Sequence, residues 1–103
     1  MTKVNVFISQ PMHGKTDYEI AYDRRRAEKY VRSRIEHGDT EVVILDSIFD
    51  GYGENPIRLL GHSVIVLADA DIVLMAKGWK NARGCLIEHE VAKQYNICVM
   101  EEQ

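Results

Sequence analysis

The sequence predicts a three-layer α/β sandwich whose parallel sheet has four strands. Two observations support this prediction. Short apolar runs alternate with longer segments of helical spacing along the 103 residues, in the order βαβαβαβ. Each helical segment begins at a recognisable start signal. Right-handed crossovers between parallel strands then give a flavodoxin-like sheet of strand order 2-1-3-4, and we interpret residues 1–103 as a single domain.

The first half of the chain supplies two strands and the helix between them. Residues 4–8 form a short run rich in β-branched side chains, which is typical of a buried strand. Thr16 and Glu19 have the spacing of a capping box, so a helix is predicted over residues 17–36. The second strand is predicted over residues 41–46.

The next segment is ambiguous. Residues 63–67 taken alone resemble a strand, because they are branched and largely apolar. Asn55 and Pro56 form a helix start signal, however, and apolar side chains recur from there at three- and four-residue spacing. This periodicity favours a helix over residues 56–69. Its apolar side chains lie on more than one side, so we expect a second copy of the chain to cover it in a homodimer or larger oligomer.

The last part of the chain completes the sheet. The third strand is predicted over residues 71–76 and the fourth over residues 97–100. Between them, a helix is predicted from Asn81, a residue type that often caps helices, to about Tyr95.

Composition and charge exclude several classes of protein. The net charge of −3 argues against a general nucleic-acid binder, which is usually basic. No apolar run approaches the ~20 residues of a membrane span. A strand that begins at Val4 leaves no room for a signal peptide, so we expect a cytoplasmic protein. Cys85 and Cys98 are then reduced thiols, with Cys85 serving in packing. The three arginines at positions 24–26 are expected to face solvent.

The loops at the carboxyl ends of the strands are expected to form the functional site. Loops 9–16 and 77–83 meet at the switch point between strands 1 and 3, with loop 46–55 beside them, and open α/β sheets bind ligands in such a crevice. Gly84 falls in the first turn of the last helix, where a missing side chain lets a ligand approach the backbone. Glu88 lies one turn further on the same helix face and would point into the crevice. The alternative is that Glu88 is one of several solvated charges on this helix.

Other kinds of site fit the sequence less well. The segment from Ser9 to Thr16 differs by one residue from the phosphate-binding sequence G-x-x-x-x-G-K-[ST], and Asp46 stands where such a site needs an acid. Its first glycine is missing and Pro11 removes a backbone donor, so nucleoside triphosphate hydrolysis is not favoured. A response-regulator receiver would need an acidic pair after strand 1, and this chain has Ser9 and Gln10 there. The histidines are scattered and show no ligand spacing of the usual kind, so no metal site is predicted.

Three motifs in the chain resemble the nucleoside 2-deoxyribosyltransferase superfamily. They are FISQPM at 7–12 after strand 1, ADIV at 70–73 opening strand 3, and Gly84 followed four residues later by Glu88. The resemblance covers nearly the whole chain and is closest to the small phage and bacterial members. It implies a flavodoxin-like oligomer that cleaves the N-glycosidic bond of a nucleoside or nucleoside 5′-monophosphate without a cofactor.

The resemblance also implies roles for individual residues. Glu88 matches the nucleophile, because a carboxylate stabilises an oxocarbenium-like transition state and can trap it as a glycosyl ester. Ser9 matches a hydroxyl that contacts the ligand. The backbone from Gln10 to Gly14 would hold a 5′-phosphate at the N-terminus of the first helix. Trp79 either stacks on the base or packs as a structural residue. The other candidate contacts lie in the same loops, on the predicted helix 56–69 or at the start of the last helix: Pro11, Met12, Asp46, Ser47, Ser63, Asn81 and Gly84.

One position departs from the superfamily pattern. Enzymatic members carry an Asp eight residues before the Asp that opens strand 3, and this chain has Ser63 there. Loss of a positioned acid or base typically costs about 10²–10⁴-fold in rate. Two hypotheses therefore stand. The first is an N-glycosidase or deoxyribosyltransferase that uses Glu88, and the second is a non-catalytic binder of a nucleotide or nucleotide-derived signal.

Overall fold

A computed structural model describes residues 2–47 and 55–103, and over these ranges it confirms the predicted sandwich. The four strands found there are parallel and hydrogen-bonded in the predicted order β2-β1-β3-β4. The strands are β1 (Thr2–Ser9), β2 (Thr40–Ile44), β3 (Ile72–Met75) and β4 (Cys98–Glu101). The α-helices in the same ranges are α1 (Asp17–Ile35), α2 (Pro56–Leu67) and α3 (Arg83–Gln94).

Alternation along the strands divides the sheet into two apolar faces. The first face packs against α1 and contains Val6, Ile8, Ala27, Val31, Val42, Leu74 and Ala76. The second packs against α2 and α3 and contains Phe7, Leu67, Val73, Met75, Cys85 and Ala92. Because the alternation continues beyond the apolar run of β1, Ser9 falls on the α3 face and Gln10 on the α1 face. Their hydrogen bonds to Glu88 and Ile20 follow this division.

Local start signals set α1 and α2 as predicted. Thr16 Oγ1 accepts a hydrogen bond from Glu19 N, and Glu19 Oε1 accepts one from Thr16 N, which is a reciprocal capping box. Asn55 Oδ1 accepts hydrogen bonds from the first turn of α2, with Pro56 at the first helical position. The ambiguous segment 63–67 is helical because it continues the helix begun at this cap.

The predicted cap of α3 is wrong. Asn81 is the last residue of a 3₁₀ turn over Trp79–Asn81, and Ala82 occupies the N-cap position without a side-chain hydrogen bond. The turn follows Gly78, whose φ of 86° lies in the left-handed region that favours glycine. Gly84 nevertheless lies in the first turn of α3, as predicted.

The expectation that the arginines at positions 24–26 face solvent is wrong for two of them. The side chain of Arg24 is only 14% exposed and bonds to groups just beyond β1 and β2. Arg26 forms ion pairs with Asp23 and Glu102, and Arg25 alone of the three is exposed. The reason is that long cationic side chains on a packed helix can reach polar groups at the strand ends, beyond the apolar core.

The helix surfaces bear on two further expectations. No helix in the described part of the chain is both long and apolar enough to cross a membrane. Helix α2 presents apolar side chains to solvent on one side, with Ile57 80% and Ile65 67% exposed. The multi-sided apolar character predicted for this helix is therefore present.

Candidate functional site

A crevice of about 770 Å³ opens at the carboxyl ends of the strands. Of the predicted ligand contacts, the following line it: Gln10, Pro11, Met12, Ser47, Asn81, Gly84 and Glu88. The other lining residues that the structure describes are Phe7, Ile8, His13, Pro56, Leu59, Leu60, Ala82, Arg83 and Cys85. Most of the predicted loop 46–55 lies outside the described residues. The described part of the crevice lining therefore combines the carboxylate of Glu88, the basic side chains of His13 and Arg83, and an apolar wall.

The loops after β1 and β3 meet at this crevice, as predicted. Pro11 Cγ lies 3.6 Å from the position that a Cβ on Gly78 would take. The loop after β1 does not function as a P-loop would, because Lys15 Nζ pairs with Asp23 Oδ2 at 2.6 Å and Thr16 caps α1. The lysine and the hydroxyl that a nucleoside triphosphate would require are thus both used within the fold.

Glu88 places a carboxylate on the floor of the crevice. Cys85, Glu88 and Ala92 form the buried stripe of α3 at three- and four-residue spacing, so a carboxylate stands where an apolar side chain would be expected. Glu88 is only 7% exposed, and its interpretation as a solvated charge is therefore wrong. Ser9 Oγ donates a hydrogen bond to Glu88 Oε1 at 2.6 Å, which joins the end of β1 to α3.

Two effects compete at this carboxylate. Burial raises the pKa of Glu88 above its ordinary value, because a low-dielectric environment disfavours the charged form. Hydrogen bonds from the hydroxyls of Ser9 and Ser63 act in the opposite direction without cancelling the shift. Within residues 2–47 and 55–103, no cation forms an ion pair with Glu88. Among the described residues, its charged form is therefore supported by the hydroxyl groups of Ser9 and Ser63.

Cys85 lies one turn before Glu88 and also lines the crevice. Burial raises the pKa of its thiol to about 11, against a weaker lowering effect of a hydrogen bond with Ser9. A thiol that stays protonated at neutral pH is a poor nucleophile. The structure thus favours the predicted packing role for Cys85.

Five of the predicted site residues are not among the described residues that line the crevice: Ser9, Gly14, Asp46, Ser63 and Trp79. The hydroxyls of Ser9 and Ser63 instead bond to the Glu88 carboxylate. Trp79 stacks on His89 with ring centroids 4.5 Å apart, and its Nε1 donates to a β4 carboxylate, so the structural alternative describes it better than base stacking. Asp46 is exposed, and its carboxylate acts electrostatically on Arg24. Gly14 is exposed, with a φ of 80° that suits a turn. For Trp79 and Asp46, the prediction located the residue in the correct loop but not the direction of its side chain.

Sequence reasoning missed several residues of the site. Leu59 and Leu60 form part of the apolar wall, but helical periodicity does not tell which apolar residue of α2 faces a ligand. His13 and Arg83 line the crevice while remaining exposed, and only their placement in the two predicted loops pointed to them. No cluster of His, Cys, Asp or Glu suited to a metal ion occurs in the ranges that the structure describes.

Comparison with known proteins places the chain in a family. Residues 4–101 match the family described as Domain of unknown function (DUF4406). The chain belongs to this family. No curated protein and no solved structure matches the chain. Since the family description states no activity, the function of this DUF4406 protein has to be inferred from its crevice.

Proposed function

We propose that this DUF4406 protein cleaves the N-glycosidic bond of a nucleoside or nucleoside 5′-monophosphate, with Glu88 as the nucleophile. The observation that carries this proposal is the buried carboxylate on the crevice floor, 2.6 Å from Ser9 Oγ. A carboxylate held by hydroxyl groups rather than by a cation keeps its charge available for the positive charge that develops on the sugar ring. The resemblance of FISQPM, ADIV and the Gly84–Glu88 spacing to the nucleoside 2-deoxyribosyltransferase superfamily supports the same assignment.

The proposed reaction proceeds in two steps. A carboxylate oxygen of Glu88 bonds to the anomeric carbon as the bond from that carbon to the base nitrogen breaks. The electrons of the broken bond go to the base, which takes up a proton and leaves. Water or a second base then attacks the anomeric carbon of the glycosyl ester, and the bond from that carbon to Glu88 breaks, with its electrons returning to the carboxylate. The attacking group gives its proton to the side chain that protonated the first base, which completes hydrolysis or transfer. No metal or redox step is needed for the balance of this reaction.

The leaving base needs a proton that the Ser63 hydroxyl is too weak an acid to supply. Among the lining residues that the structure describes, Arg83 stays protonated and the Cys85 thiol, with a pKa of about 11, is a poor acid near neutrality. His13 presents an exposed imidazole at the crevice, and His is the side chain that most often serves in acid–base catalysis. We propose His13 as the proton donor.

The role of His13 can be tested with two leaving groups. His13→Gln should slow cleavage of 2′-deoxyguanosine by about 10²–10⁴-fold, because the variant lacks the acid. The N7-methylated analogue releases a neutral base without protonation, so its cleavage should change by less than about 5-fold. Initial rates of base release, measured by chromatography, give both numbers. An equal loss on the two substrates would reject His13 as the acid.

The proposed activity is tested by measuring free base released from 2′-deoxynucleosides and their 5′-monophosphates, with and without an acceptor base. The native protein should release base, and Glu88→Gln should not. Glu90→Gln is the matched control, because Glu90 is exposed on the same helix and should be dispensable. Failure of the native protein to release any base across the panel would contradict the proposal.

A non-catalytic binder is the second candidate function. It is favoured by one observation, the presence of Ser63 where enzymatic members of the superfamily carry an ionisable acid. In this case the crevice would hold a nucleotide or a nucleotide-derived signal. Calorimetric binding of a panel member without base release would support this function over the enzymatic one.

We also propose that a second copy of the chain covers α2. Ile57 and Ile65 are exposed there, and Leu86 on neighbouring α3 is 46% exposed. Sedimentation equilibrium should then show a dimer or larger oligomer. Ile65→Lys should shift it toward the monomer, whereas a native protein that is monomeric at all concentrations would contradict the proposal.

A further inference from the structure

Arg24 lies beneath one wall of the crevice without lining it. Its Nη1 donates to Ser47 Oγ at 3.0 Å and lies 3.5 Å from Gln10 Oε1, and its Nη2 donates to the carbonyl oxygen of Leu45 at 2.9 Å. Gln10 follows β1 directly, and Leu45 and Ser47 follow β2. One guanidinium on α1 thus connects the ends of two neighbouring strands at the edge where the crevice opens.

We propose that Arg24 is a positioning residue that sets the crevice wall formed by Gln10 and Ser47 and thereby the affinity for the ligand. The inference rests on the proposed function only in taking this crevice as the ligand site. It does not depend on whether the bound molecule is cleaved.

The hydrogen bonds of the two lining side chains support this role. Gln10 Nε2 donates to the carbonyl oxygen of Ile20 at 3.0 Å, and Ser47 Oγ donates to the carbonyl oxygen of Ile8 at 3.2 Å. Each side chain is therefore held by the backbone on one side and by Arg24 on the other. Both are 5% exposed, so neither has bulk water as an equivalent partner. Removing the guanidinium would leave each with a single constraint.

Among the described residues, the ion pair that Arg24 forms with Glu28 is a long one. Burial lowers the pKa of Arg24, and the carboxylates of Glu28 and Asp46 oppose that shift. The guanidinium remains charged, because arginine does not lose its proton in proteins. The nearest Glu28 contact is 3.9 Å, whereas Arg26 holds its carboxylate partners at 2.7 Å. Arg24 therefore makes its closest bonds to neutral acceptors around the crevice.

The side-chain geometry accounts for the choice of arginine. A planar guanidinium presents several donors in a fixed arrangement and can bond to acceptors on two strands at once. A lysine ammonium is a single flexible point charge and cannot hold the same three acceptors in register. A positive charge alone should therefore not hold Gln10 and Ser47 in place, and Arg24→Lys should weaken ligand binding.

The test is a double-mutant cycle on ligand binding with Arg24→Met and Ser47→Ala. Calorimetry with 2′-deoxyadenosine and its 5′-monophosphate gives the Kd of each variant. Arg24→Met should weaken binding by about 10-fold or more, and adding Ser47→Ala should weaken it little further, because the two residues act as one unit. If the ligand is turned over, Arg24→Met should raise KM and change kcat by less than about 3-fold. Arg25→Met, at the exposed neighbouring position, should bind as the native protein does.

Several outcomes would overturn the inference. A folded Arg24→Met protein with native affinity would do so, and so would independent, additive losses in the cycle. If Arg24→Met fails to fold, Arg24→Lys replaces it in the test, because lysine keeps the aliphatic stem and the charge. Arg24→Lys should weaken ligand binding by the same factor, and native affinity in this variant would contradict the inference. A native protein that binds neither probe overturns the inference. If the protein binds a probe but releases no base, only the proposed cleavage is rejected. If cleavage depends on Glu88 but is unchanged by substitution of Arg24, only the role of Arg24 is rejected.

Discussion

Glu88 and Glu102 are two buried carboxylates near the same edge of the sheet, and their surroundings are opposite. Glu102 accepts two hydrogen bonds from the Arg26 guanidinium, at 2.7 and 3.0 Å, and a third from Lys77 N. Burial acts to raise its pKa, but these partners hold the pKa of Glu102 below its ordinary value. The partners of Glu88 in the described part of the chain are hydroxyl groups, and burial raises its pKa.

The difference separates a structural carboxylate from a candidate reactive one. A cation in contact with a carboxylate stabilises its negative charge. The paired carboxylate then interacts less strongly with a positive charge that develops on a substrate. Glu102 is held in this way and locks the residue after β4 to α1. Glu88 is buried at a cost that its hydroxyl partners do not fully offset, and such costs are concentrated at functional sites. Burial alone would not distinguish the two residues.

The largest expected difference between the two is in turnover. Glu88→Gln should lower base release by about 10³-fold or more, because an amide does not replace a carboxylate nucleophile. Glu102→Gln should stay within about 3-fold of the native rate at temperatures where it is folded, since it lies outside the crevice lining. Base release by both variants, with folding checked by circular dichroism, measures this contrast. Equal losses in two folded variants would remove the functional distinction.

The next effect is on stability and concerns Glu102. Glu102→Gln should destabilise the protein by about 2–3 kcal/mol, because it breaks a largely buried, doubly hydrogen-bonded pair with Arg26. The pKa of Glu102 is lowered on folding, so its contribution is present above the ordinary value of 4.5 and is lost as the pH falls through the folded value. Urea unfolding over a range of pH checks both statements. Glu90→Gln is the exposed control, and an unchanged midpoint for Glu102→Gln would contradict this account.

The smallest effect has the opposite sign and concerns Glu88. Its pKa is raised on folding, so between pH 4.5 and the folded value the folded state binds more protons than the unfolded chain does, and stability falls as the pH rises through this window. Glu88→Gln removes this cost and should raise Tm near pH 7, by about 4–8 °C for each 1 kcal/mol gained. The gain should vanish below pH 4.5, where both states are protonated. A variant less stable than the native protein at neutral pH would argue against a strained carboxylate.

The sequence predicted those parts of the molecule that depend on local signals. The capping box of Thr16 and Glu19, the start signal at Asn55, and the alternation along β1 all operate within a few residues. The strand order followed from the flavodoxin-like alternation of strands and helices, and it placed the end of β1 beside α3, where Ser9 bonds to Glu88 across 79 positions.

The missed features depend on side-chain directions that periodicity does not give. Arg24 bonds to groups 14 to 23 positions away, and Arg26 reaches Glu102 across 76 positions. No local pattern distinguishes these arginines from solvated ones. Trp79 was placed in the correct loop, but its contact with His89 depends on how the 3₁₀ turn orients the indole. Tertiary contacts set the side-chain directions in these loops, so the sequence pattern alone could not predict them.

A ¹³C NMR titration of the glutamate carboxyl groups tests the central contrast most directly. The Gln variants at positions 88 and 102 assign the two resonances. The account predicts that Glu88 titrates above the ordinary value of 4.5 and Glu102 below it. A Glu88 carboxyl that titrates at or below 4.5 would contradict the contrast between the two residues. Such a value is typical of an exposed carboxyl or of one that is paired with a cation.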